Sequence, residues 1–105
     1  MPKRGTYIYL RITPDVFSRP IDEKRAKSIC RQFGPYGLFE KVLGMPMSFG
    51  TCINMLTTDP KRFEILFTEF VKRAIEAGIP PYDYRSSVAL KAWKRYLREG
   101  VKAPS

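Results

Sequence analysis

The sequence predicts an α+β fold: a small ferredoxin-like sandwich ordered strand, helix, strand, strand, helix, with a short fourth strand and an additional C-terminal basic amphipathic helix. Three observations predict it. A period-two alternation lies near the start, two extended stretches flank a short Gly/Pro turn, and long apolar stripes recur at helical spacing. At 105 residues the chain has room for one domain, 1–105, and not for two independent cores.

Residues 1–5 read as a flexible basic arm. From Tyr7 to Thr13, Ile8, Leu10 and Ile12 alternate with Tyr7, Tyr9 and Arg11, which predicts a strand with one buried face. Between Ile21 and Phe33, Ala26, Ile29, Cys30 and Phe33 fall at helical spacing. Asp22 and Glu23 sit at the helix start, where the dipole favours acids, and Gly34-Pro35 ends it.

Leu38–Leu43 and Phe49–Leu56 then read as two strands joined by Gly44-Met45-Pro46-Met47, a connection short enough for a hairpin. Asp59 and Pro60 open the clearest helix, whose stripe of Phe63, Leu66, Phe67, Phe70, Val71 and Ala74 carries the core. Gly78 and Pro80-Pro81 stop it, and residues 80–84 form an extended linker or short edge strand. Ser86 or Ser87 caps a last helix running to Glu99, with Gly100 as its stop and 101–105 as a frayed tail.

Composition excludes several chemistries. Histidine is absent, which removes imidazole bases, histidine zinc sites and paired-histidine nuclease centres. Cys30 and Cys52 have no third partner and read as small buried hydrophobes, with an intramolecular disulfide as the alternative. Gly44 to Gly50 lacks the spacing and lysine of a phosphate loop. Asp15, Asp22 and Glu23 are the acids nearest the first strand's end. They suit Mg²⁺ in principle, but capping and dipole duty explains Asp22 and Glu23, so no metal, cofactor, small-molecule substrate or catalysis is expected. No run approaches the ~18 apolar residues of a membrane span, and a cytoplasmic protein is expected. The single Asn54 and single Gln32 hint at a thermophile source.

Charge points to the partner. The formal net charge is +9, distributed as +5 over residues 1–33, −1 over 34–83 and +5 over 84–105. Lys91, Lys94, Arg95 and Arg98 fall within about a third of the last helix's circumference, opposite Ala89, Trp93, Tyr96 and Leu97. Such a row suits phosphates. Lys24, Lys27 and Arg31 form a second row on the first helix, and Lys3 and Arg4 add cations in the arm. On the first strand, Tyr7, Tyr9 and Arg11 form the face opposite the core, where rings and a guanidinium can stack on unpaired bases.

Ile8-Tyr9-Leu10 resembles the first-strand signature of the RNA-recognition motif, and Ser48-Phe49-Gly50 its third-strand signature. A basic residue and a glycine are missing ahead of Phe49, and Thr51 stands where a second aromatic is usual. The expected function is a non-enzymatic nucleic-acid-binding protein, a small regulator or coating protein. DNA is slightly favoured over RNA, and duplex over single strand. The alternative is a protein-interaction adaptor or inhibitor, homodimeric, meeting an acidic protein. An anionic membrane surface is disfavoured because Trp93 and its neighbours are needed to pack the last helix.

Overall fold

A computed structural model describes residues 7–32 and 36–100. Among them lie five α-helices, α1 Glu23–Arg31, α2 Gly37–Leu43, α3 Phe49–Thr58, α4 Pro60–Glu76 and α5 Tyr84–Glu99, with a 3-10 turn over Pro14–Ser18. The arm with Lys3 and Arg4, the stop at Phe33-Gly34-Pro35 and the tail 101–105 fall outside the described residues.

The fold is all-helical. Among the described residues there is no strand or sheet, and this overturns the predicted α+β ferredoxin-like sandwich. α4 begins as its sequence dictates: the Asp59 carboxylate accepts the Arg62 N–H, and Pro60 follows at the first position. Its Phe63, Phe67, Phe70, Val71 and Ala74 are buried. Phe67 is the hub, with ring centroids 5.8 Å from Phe63, 5.5 Å from Phe70 and 5.5 Å from Trp93 of α5. Phe39 of α2 lies 5.0 Å from Phe70, so α4 is the post on which α2, α3 and α5 pack.

The predicted hairpin over residues 38–56 is two helices. Gly44 takes a left-handed φ of 71° as the C-cap of α2, and Ser48 Oγ accepts the Thr51 N–H as the N-cap of α3. A stop followed by a start makes Gly44–Ser48 a helix–helix connection. Leu38 and Phe39, then Cys52 and Leu56, are the buried positions. The likeness to the RNA-recognition motif goes with the sheet it needed: Ser48-Phe49-Gly50 opens a helix.

The first predicted strand is an extended strap without a partner strand. Ile8, Leu10 and Ile12 are buried, as the alternation requires, but their neighbours are helices and helix ends. Among the described residues a single isolated parallel bridge joins it, Ile8 to Pro81. Ile8 N–H donates to the Pro80 carbonyl at 2.9 Å, and Tyr82 N–H to the Ile8 carbonyl at 2.8 Å. Leu10 N–H donates to Ser86 Oγ at 3.1 Å, Arg11 N–H to the Gln32 carbonyl at 3.0 Å, and Trp93 Nε1 to the Ile12 carbonyl at 2.9 Å. Polar groups that a sheet would have paired are therefore satisfied by loops and side chains. The fourth strand reduces to that same bridge.

Two local expectations are also corrected. The cap of α5 is Asp83, whose carboxylate accepts the Ser86 N–H, while Ser86 itself is buried inside the first turn. Cys30 and Cys52 are buried but bonded to each other, joining α1 to α3.

Candidate nucleic-acid interface

α5 turns one side inward and leaves the other in water. Ser86, Ala89, Leu90 and Trp93 are buried. Trp93 anchors the helix through its bond to Ile12 and through ring contacts with Phe17 and Phe67 at 6.3 and 5.5 Å. With that side fixed, Lys91, Lys94, Arg95 and Arg98 all lie exposed. Glu99 is the acid among them. Arg95 Nε reaches its carboxylate at 3.4 Å and Arg98 at 3.1 Å, and these bonds, Arg98 foremost, hold the Glu99 carboxyl below its usual range. Both pairs are open to solvent and therefore weak. Lys91 and Lys94 make no ion pair among the described residues.

Because α5 starts at Tyr84, its outward stripe begins earlier than the cations alone indicate. Tyr84, Val88, Lys91, Arg95 and Arg98 follow at i, i+4, i+7, i+11 and i+14, a band about 80° wide. The band is aromatic and apolar at its head and cationic along its length. Tyr84 is 81% exposed, Val88 47%, and Tyr82, just before the cap, 62%. The sequence reading missed Tyr82, Tyr84 and Arg85. Asp83 with Ser86 three residues on is the cap signal that extends the helix back to include the last two.

The strap residues meet this head. Tyr9 and Tyr82 are packed edge to face, with centroids 5.8 Å apart. Arg11 lies over the Tyr9 ring at 4.6 Å, and its guanidinium grips the Asp83 carboxylate with two bonds of 2.9 and 2.6 Å. The grip on Arg11, helped by the Ser86 N–H, holds the Asp83 carboxyl down at about 2. Arg11 is thus engaged inside the molecule, and Tyr7 and Tyr9 are half-buried. Tyr9, Arg11, Gln32 and Arg85 line an open cleft of about 440 Å³. Gln32 caps the C-terminal end of α1 and Arg85 lies in the first turn of α5, so the two cationic helices border the same cleft.

On α1, Lys24, Lys27 and Arg31 are exposed. Lys27 lies 3.5 Å from Glu23, and Arg31 sits over the exposed Phe49 ring at 5.7 Å. Arg25 is turned to structure, donating to the Pro20 and Val16 carbonyls. Asp22 caps α1, and Asp15 accepts from the Thr13 hydroxyl. No group of three metal-ligating side chains exists among the described residues. No described helix is long and apolar enough to cross a membrane. Comparison with protein-family models, with curated proteins and with solved structures finds no match to this chain.

Proposed function

We propose that this protein binds nucleic acid through the outward face of α5, in a binding role without catalysis. The observation that carries this reading is the exposed row of Lys91, Lys94, Arg95 and Arg98, set on a helix whose other side is locked by Trp93. Cations on a preformed helix gain by releasing counterions from phosphates without a further cost of ordering the backbone that carries them. Lys24, Lys27 and Arg31 of α1 extend the positive field towards the shared cleft and favour encounter with a polyanion.

A cytoplasmic location belongs with this role. The Cys30–Cys52 disulfide is compatible with it in heat-adapted cells, whose intracellular proteins carry such bridges. The single Asn54 and Gln32 agree with that setting.

Titration at low salt with single-stranded and duplex oligonucleotides, against an uncharged-backbone analogue of equal length, tests the proposal. Binding of the charged strands well above the analogue is expected. Equal, weak binding of all three would refute it.

A further inference from the structure

The aromatic head of α5 is the feature that phosphate binding does not use. Tyr84 and Tyr82 are among the most exposed large side chains of the molecule, at 81% and 62%. They do not stand on a loose loop. Tyr84 opens α5 directly after its Asp83 cap, and the Tyr82 backbone N–H is bonded to the Ile8 carbonyl at 2.8 Å. The Tyr82 ring packs edge-to-face with Tyr9, which in turn lies under the Arg11 guanidinium clasped by Asp83. Exposed phenol rings carried on a fixed backbone at the end of a cationic row are stacking platforms: a ring face binds any base face, provided that the base is not already stacked in a duplex.

We infer that the strand bound by α5 is unpaired, with its bases stacking on Tyr84 and Tyr82 while its phosphates follow Lys91, Arg95 and Arg98. This rests on the nucleic-acid reading above and adds the kind of strand. From Tyr84 to Arg98 the helix rises about 21 Å, a length suited to several nucleotides. The cleft between Tyr9, Arg11, Gln32 and Arg85 opens beside the same turn. Of its lining, the exposed Arg85 guanidinium suits the edge of a base, while Arg11 stays held by Asp83 and over the Tyr9 ring. A second copy of this chain is a poor occupant. A two-fold contact centred on the α5 stripe would bring the same lysines and arginines together with like charge.

The test compares four labelled probes of about 12 nucleotides, within the site sizes of single-strand binders. They are a mixed-sequence single strand in deoxy and ribo forms, an abasic strand with the same phosphates, and the duplex. The wild-type protein is expected to bind the base-bearing strand most tightly, and the better of its two forms identifies the polymer. Tyr84→Ala and Tyr82→Ala are each expected to weaken that binding by about fivefold or more, and to leave the abasic strand unchanged. Tyr84→Phe, which keeps the ring, restores the affinity. Both positions are exposed, and a thermal melt confirms that the variants fold.

Equal binding of abasic and base-bearing strands, or tighter binding of the duplex, overturns the inference and leaves the phosphate reading standing. Failure of every charged probe to bind overturns both. Sedimentation showing self-association that Tyr84→Ala abolishes gives this face to a second copy and also overturns the inference.

Discussion

α1 and α5 both present cations to solvent, yet they are fastened to the body by different chemistry. α1 is joined to α3 by a buried covalent bond, Cys30–Cys52. α5 is fastened by a polar seam to the strap: Ser86 to Leu10, Asp83 to Arg11 and Trp93 to Ile12. The difference teaches where precision is required. A covalent tether fixes proximity, whereas three bonds spaced along one helix fix its rotation and so decide which side chains face outward.

That contrast can be broken at several points. Trp93→Ala removes the ring packed on Phe67 and the bond to Ile12, and is expected to cost about 3–5 kcal/mol in denaturant unfolding. A negligible loss would mean that α5 is anchored elsewhere. Replacing Cys30 and Cys52 together by Ala releases a crosslink across a sequence separation of 22 and is expected to cost about 3 kcal/mol. The folded double variant should bind oligonucleotides as the parent does, since its site is on α5. Ser86→Ala leaves the Leu10 N–H without its acceptor in a buried setting, at about 1–3 kcal/mol. Wild-type stability with Ser86→Ala would show the seam to be redundant.

The smallest effect is expected from pH. The Asp83 carboxyl is lowered from 3.8 to about 2 by Arg11 and the Ser86 N–H. A lowered acid stabilises the fold fully above its unfolded value, and that contribution is lost as pH falls through the folded one. The stability gap between wild type and Asp83→Asn should hold steady above about pH 5 and close progressively as pH falls from about 5 to about 1. A gap that stays at its full size down to about pH 1 would assign the effect to packing.

α4, α5 and the shorter α1, marked by its Asp22-Glu23 start, were legible in the sequence, and α2 and α3 were not. α4 and α5 run for 17 and 16 residues, long enough for period 3.6 to show, and α4 carries a complete Asp-Pro start. α2 has 7 residues and α3 has 10, and α3 is rich in β-branched Thr51, Ile53, Thr57 and Thr58. The spacing Phe49, Cys52, Ile53, Leu56 was already helical. The Gly44–Met47 link, read as a hairpin turn, overrode it. In the strap, alternation reported a buried face correctly and could not report what lies on the other side of it: five bonds go to a loop, a helix end, a serine and a tryptophan. Of the candidate site, the α5 cations were readable from spacing alone. The aromatic head was hidden because a cap at Ser86 or Ser87 starts the helix three or four residues after Asp83, leaving Tyr84 in a linker.

The proposed nucleic-acid interface is the outward face of α5. The most direct test is the salt dependence of oligonucleotide affinity for the wild type and for a variant with Lys91, Lys94, Arg95 and Arg98 all replaced by Gln. With a single strand, each phosphate neutralised adds about 0.7 to the slope of log K against log salt, so the variant's slope should be shallower by about 2 to 3. An unchanged slope in a folded variant would contradict the account.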